Sequence, residues 1–407
     1  MTLSAASLLE GMAIIIFTGA AMSMLSKVLR LPDVVLYILA GVLLGTSGLH
    51  WIQLDHAVVN QVILTFGASY ILFDGGREIR LIVLNRIKLS VALLSTVGVL
   101  VSACIVAAFT RVFLHLDLIT GLLLGAVISS TDPSVLIPLF KKINISAKLK
   151  QTIIAESACN DACSAILAVA VLSIITGGNF SLGHSIFMLL KEALGGIAVG
   201  VAVGFVIMHL ISDRRHGLLS EFPSEIIVAS VIASYQIATQ LEFSGFMAVF
   251  VFGILVGNID AFKVSLPAEY AEMHLNFKDA LISMLRMMIF ILLGAHMRLD
   301  ILYEYGLSAL VVVLMLMFVA RPISVLCSLL PDRQASWSWR EIVYLMWTRE
   351  TGVIPAALAG VMVTQGIPHA ELISAVTFMA ILLTLILQAS SAGWAARTLK
   401  LEEPLNE

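Results

Sequence analysis

Within residues 130–161, two carboxylates, Asp132 and Asp161, stand in apolar sequence on either side of a basic loop. Thr131-Asp132-Pro133 interrupts one apolar run, and Glu156-Ser157 and Asn160-Asp161 punctuate the next. On a helix, Ser157 and Asp161 stack one turn apart, and Glu156 and Asn160 do the same on the adjoining face. If the second run crosses the first near its break, Asp161, Asp132, Ser157 and the loosened backbone near Thr131 converge. That would be an all-oxygen set suited to a hard monovalent cation. A carboxylate withdrawn from water also takes a proton more readily, so cation and proton would contend for one group. The plainer alternative is that these acids bond to helix ends or to arginines.

The elements that must hold these groups are membrane helices. The chain of 407 residues is 59% hydrophobic and 13% charged, whereas soluble domains carry about 25% charged residues. The fold class is therefore all-α and polytopic, with the lipid bilayer as solvent and no nucleic-acid partner. The four cysteines, Cys104, Cys159, Cys163 and Cys327, all fall in apolar stretches and read as small buried hydrophobes. The first residues lack a basic n-region and a cleavage site, so the first apolar run is expected to stay as a membrane helix. Residues 1–401 are expected to form one transmembrane domain, with 402–407 as a short cytoplasmic tail.

A bilayer-spanning helix needs about 20 apolar residues. Thirteen candidate spans lie near 8–26, 34–48, 57–75, 89–110, 118–139, 149–176, 186–211, 223–240, 243–258, 276–296, 303–329, 340–364 and 370–394. Cytoplasmic loops are rich in Lys and Arg. With the N-terminus outside and the C-terminus inside, the inner segments hold Lys27 and Arg30, Arg77 to Lys88, Lys141 to Lys150, Arg214 and Arg215, Lys263 and Lys278, Arg333 and Arg340, and Arg397 and Lys400. The outer segments hold Arg111 and Arg298. This alternation supports the count.

The fifth span is interrupted near 132–133 and the twelfth near 352–355, at Gly352-Val353-Ile354-Pro355. Proline removes a backbone donor, and such breaks are tolerated in membranes where they face protein or a wet cavity. Interrupted helices in matching positions point to an inverted-repeat transporter with a midplane site, here with repeats of roughly 8–176 and 223–394. Three arginines fall inside spans. Arg286 lies close enough to the inner surface to snorkel. Arg321 is expected to pair with Glu156, because a lone buried charge is prohibitive. Arg349 either pairs locally with Glu350 or acts near the site.

Several motifs occur together in one order: Ile71-Leu72-Phe73-Asp74-Gly75-Gly76, Thr131-Asp132-Pro133, Glu156-Ser157-x-x-Asn160-Asp161, Ser244-Gly245 ahead of Gly253 and Gly257, Arg321-Pro322, and Gly352-Val353-Ile354-Pro355. In these the chain resembles the monovalent cation/proton antiporters, in particular the NhaP-type sodium/proton antiporters related to animal NHE exchangers. The resemblance covers nearly the whole chain. It implies that Asp161 is the essential ion- and proton-binding aspartate. Asn160 is similar to the asparagine that marks the electroneutral branch. Asp132, Ser157 and Thr131 resemble the remaining Na+ ligands, and Glu156 with Arg321 a structural ion pair. Asp74 resembles an acidic residue near the ion path, though a helix end near the inner surface explains it equally. The resemblance further implies alternating access, a homodimer in the cell membrane, and no cofactor beyond the transported ions. Many relatives carry Arg just before the glycine of the twelfth-span motif. Here Thr351 holds that place and Arg349 stands two residues earlier, so a place for Arg349 on the ion path stays open.

An enzyme is not expected. The Gly-x-Gly-Asp signature of intramembrane aspartyl proteases is absent, since Asp161 follows Cys159-Asn160. A channel or uniporter would use the same oxygen site without exchanging protons. Na+, with Li+, is the expected cation and K+ the alternative, since residue types do not report cavity size.

Overall fold

The structure, a computed structural model, describes residues 5–29, 32–52, 57–132, 136, 140, 143, 145–175, 182–211, 219, 221–262, 268–297 and 299–402. Pro133, Arg30, Lys141, Lys142, Arg214, Arg215, Lys263, Arg298 and the tail residues 403–407 lie outside the described residues. The first half contains α1 (Ala5–Leu29), α2 (Asp33–Leu44), α3 (Ala57–Arg77), α4 (Leu81–Ser95), α5 (Val97–Phe113), α6 (Leu118–Ser129), α7 (Ala147–Ile175) and α8 (Leu182–Leu210). The second contains α9 (Pro223–Gln240), α10 (Gly245–Gly257), α11 (Ala268–Ala295), α12 (Leu299–Met315), α13 (Arg321–Leu329), α14 (Trp339–Trp347), α15 (Val353–Thr364), α16 (Ala370–Leu383) and α17 (Ser390–Thr398). The described residues are all-helical, and each apolar segment read from the sequence contains at least one helix. Among the described residues, seven helical stretches are long and apolar enough to cross a bilayer alone, and α2, α6, α10 and α15 are shorter apolar helices.

The two chain breaks differ in place from the proline rule. After α6 the backbone turns extended at Ser130 (φ −65°, ψ 146°). The second break occupies residues 348–352, ending on Gly352 at the start of the Gly352-Val353-Ile354-Pro355 motif. Pro355 sits in the first turn of α15, where its missing N–H would have had no helical partner. Three further interruptions gave no sequence signal that was read, one of them at Thr96 between α4 and α5. A π turn, Leu316–Ala320, joins α12 to α13, and another, Thr384–Ala389, joins α16 to α17. The first π turn absorbs Pro322, whose ring would otherwise press on the carbonyl of Phe318.

Helices meet here through backbone contact. A methyl group on Gly253 would overlap the carbonyl of Phe73, one on Gly257 the carbonyl of Arg77, and one on Gly76 the carbonyl of Phe250. The glycines of both motifs therefore set how closely α3 and α10 approach. Aromatic packing of Tyr70, Phe73 and Phe252 surrounds that seam. The cysteine expectation holds only in part. Cys159 and Cys163 are partly buried, while Cys104 and Cys327 are exposed. An exposed apolar side chain is favourable where the solvent is lipid. Arg286 reaches Asp33, the first residue of α2, at 3.4 Å, tying α11 to α2.

Gly253→Ala is expected to lower stability by about 1–3 kcal/mol through overpacking, read as a lower melting temperature in detergent. Gly11→Ala, at a position with open space around it, should leave melting unchanged or raised.

Candidate functional site

The site is built on α7. Gln151, Thr152, Glu156, Ser157, Asn160, Asp161 and Ser164 are all buried along it. Seven polar side chains on one apolar helix need partners, and the first chain break supplies those of Ser157, Asn160 and Asp161. The Thr131 N–H donates to Asn160 Oδ1 at 3.1 Å, and Asn160 Nδ2 donates to Thr131 Oγ1 at 2.8 Å. The Thr131 and Ser157 hydroxyls share a hydrogen bond of 2.8 Å. The Ser130 hydroxyl donates to Asp161 Oδ1. Residues 130 and 131 are thereby stitched along both faces of α7 that the i, i+4 spacing marks.

Asp132 joins this first break to the second. Its N–H donates to the Glu350 carbonyl at 2.8 Å, and its Oδ2 accepts from the Val353 N–H at 3.2 Å. The carboxylate thus lies at the N-terminus of α15, where free N–H groups and the helix dipole favour negative charge. A side chain on Gly352 would collide with Asp132, so glycine is required for the close approach. The Thr351 N–H donates to Thr384 Oγ1 at 3.0 Å, beside the second π turn.

Arg349 does not form the local pair with Glu350. Its guanidinium donates to the Ile128 carbonyl and, at 3.4 Å, to Thr351 Oγ1. The reason is geometric. The break in the first run leaves carbonyls at the end of α6 without helical partners, and Arg349 is buried against them. The Glu350 carboxylate is buried with no hydrogen-bond partner among the described residues.

Glu156 and Arg321 meet as a two-armed pair, with Arg321 Nη2 donating to Glu156 Oε2 at 3.1 Å and Nη1 to Oε1. Arg321 Nε donates to the Leu345 carbonyl at 3.0 Å. One guanidinium therefore locks α7, α13 and α14 together, and both side chains are almost wholly buried.

Asp161 and Asp132 line one cavity of about 60 Å³, faced from the other side by Asp74, Glu78 and Arg286. Asp74 and Glu78 also line a wider cavity of about 320 Å³ with Arg77, Asp260, His274 and Lys278. Asp74 pairs with Lys278 at 3.0 Å and Arg77 at 4.0 Å. Arg77 Nη1 lies 3.1 Å from His274 Nε2, and His274 Nδ1 lies 3.1 Å from Ser224 Oγ. Arginine only donates, so Nε2 accepts and His274 is neutral. His274 lies just on the inner side of the apolar span that starts at 276. Burial, then the positive Arg77 and Lys278, lower its pKa to about 4. A cavity of about 630 Å³ near Arg86, Lys148 and Gln334 stands apart from the paired carboxylates.

Sequence reasoning missed Ser130, Lys278, His274 and Thr384 as site residues. Ser130 was legible as a third hydroxyl beside Thr131. Lys278 was read only as a loop charge, and neither His274 nor Thr384 carries a spacing that singles it out.

Two broken helices crossing beside a buried acidic helix, with a cavity reaching in from one side, define a multi-pass membrane transporter. Residues 13–398 match the family described as sodium/hydrogen exchanger, transmembrane, and the chain belongs to that family. It is 29% identical over 384 residues to the K(+)/H(+) antiporter NhaP of Alkalimonas amylolytica, covering 94% of this chain and 65% of that one. It is 29% identical over 415 residues to Na(+)/H(+) antiporter 1 of Methanocaldococcus jannaschii, covering 95% and 94%. The chain thus spans about two thirds of the first relative's length and nearly all of the second's. The solved structure of the sodium proton antiporter MjNhaP1 from Methanocaldococcus jannaschii at pH 8 superposes with a TM-score of 0.82, at 26% identity, over 97% of this chain and 99% of that one.

Glu156→Gln and Arg321→Ala are each expected to destabilise by about 3–5 kcal/mol, since each orphans a buried charge. Detergent melting of the singles and the double gives a cycle in which the two effects are strongly non-additive. A pH effect follows from His274. Its folded pKa, about 4, lies below the ordinary 6.5, so its stabilisation is complete above 6.5 and shrinks as pH falls towards 4. The melting gap between wild type and His274→Gln should close over that interval.

Proposed function

We propose that the protein is a secondary active antiporter exchanging one monovalent cation, Na+ or Li+, for one proton. K+ is the alternative cation, because curated relatives of both cation types are similar to it over most of the chain. The observation that carries the reading is that Asp161 and Asp132 line one small cavity at the crossing of two chain breaks. Asp161 is the shared group. As a carboxylate it holds the cation together with Asp132 and the Ser157 and Thr131 oxygens. As a carboxylic acid it has lost the charge that holds the cation. Ser130 suits both forms, since a hydroxyl donates to a carboxylate and can turn to accept from a carboxyl. Asn160 has an amide that does not ionise, and its bonds to Thr131 shape the site.

The supporting geometry extends to the scaffold. Residues 8–176 and 223–394 act as inverted repeats, each contributing one break, and Glu156–Arg321 is a structural ion pair. Arg349 serves the site by holding the end of α6. The chain works as a homodimer in the cell membrane with its N-terminus outside. The wider cavity beside Arg77 and Arg80 is then the inner approach, and Asp74 stands on the ion path.

The test is proteoliposomes loaded with a pH-sensitive dye, to which NaCl, LiCl or KCl is added. Wild type should move protons in response to a cation, and Asp161→Asn should not, while staying folded. Exchange should ignore an imposed membrane potential, because one charge leaves for each that enters. Apparent cation affinity should fall about tenfold per pH unit below the site's pKa. Wild-type-like dye recovery in Asp161→Asn sinks the assignment of the shared carboxylate.

A further inference from the structure

We propose that Lys278 is a tethered gate cation: its ammonium occupies Asp74 at the neck between the two cavities, and an entering alkali cation displaces it onto Asp279. The identity of the entering ion rests on the antiport reading above; the gate itself does not.

Asp74 is placed for this. It is an acid common to the inner cavity, which holds Asp161 and Asp132, and the wider approach. A path from one to the other would run past Asp74 and Glu78, the two acids that line both. Lys278 lines the wider cavity and reaches Asp74 at 3.0 Å, with 11% of its side chain exposed. The ammonium is a compact point charge on a flexible stem. It therefore stands where an alkali ion arriving at Asp74 would stand.

Two details separate a gate from a fixed ion pair. The first is that Lys278 has a second acceptor. Its Nζ lies 3.2 Å from Asp279, whose side chain is 75% exposed. When a cation takes Asp74, Lys278 keeps one carboxylate and moves towards water, so the exchange swaps one ion pair for another. The second is that Arg77, the other cation near Asp74, is held back. It stands 4.0 Å away, with Nη1 engaged by His274, itself bonded to Ser224. The rigid, forked guanidinium is pinned and the mobile ammonium is left to move.

The experiment reads accessibility and kinetics separately. Ile282 lines the inner cavity one turn beyond Lys278. Ile282→Cys, with the four native cysteines replaced, is labelled in inverted membrane vesicles with a positively charged thiosulfonate. Lys278→Gln should label several-fold faster than its parent. In proteoliposomes the same change should lower KM for the cation about fivefold, the size expected of a partly exposed ion pair. Adding it to Asp74→Asn should change nothing further. Asp279→Asn, on an exposed side chain that does not threaten folding, should raise KM and slow labelling. Labelling that is unmoved by both Lys278→Gln and Asp279→Asn overturns the gate. Labelling that responds as described, in a protein showing no exchange, leaves the gate standing and removes the antiport reading instead.

Discussion

The structure turns on a single crossing, where the N–H of Asp132 meets the carbonyl of Glu350 and the Asp132 carboxylate caps α15. Backbone groups inside a membrane must find partners within the protein, and two helix interruptions at one depth leave many seeking them. Side chains from neighbouring helices answer in turn. Asn160 takes the Thr131 N–H, Thr384 takes the Thr351 N–H, and Arg349 serves the Ile128 carbonyl. The absence of a side chain at Gly352 is what lets the breaks come close enough.

That arrangement also sorts the acids by how their charge is compensated. Glu156 has a guanidinium, Asp132 has the start of a helix, Asp74 has an ammonium, and Asp33 has Arg286. Asp161 receives a neutral hydroxyl from Ser130. Asp132 and Asp74, which line the same cavity, are instead met by a helix end and by an ammonium. On the proposed reading, an ion of small size and single charge completes a group such as Asp161, and so does a proton. The chemistry of the site thus follows from what surrounding elements withhold from Asp161 as much as from what they supply.

Much of this was legible in the chain itself. The all-helical class, the two interruptions, the pairing of Glu156 with Arg321 and the gathering of Asp132, Ser157, Asn160 and Asp161 could be read from spacing, charge cost and resemblance. The reason is that a bilayer penalises every unpaired polar group, so polar residues in apolar runs announce themselves. The partners were less legible. Arg349 stands beside Glu350 in sequence yet bonds the end of α6, and Arg286 pairs with Asp33, 253 residues away in the chain. Local neighbours compete with distant ones, and burial favours whichever acceptor has lost its helix.

Residue type and spacing therefore established the helical class, the position of the breaks to within a few residues, and which side chains had to be compensated. Three-dimensional packing alone assigned Ser130 to Asp161, Lys278 to Asp74, and Thr384 in the second π turn to Thr351. Those assignments depend on distances between segments far apart in the chain. Apolar periodicity carries no record of such distances, because any helix with the same face could have been packed there.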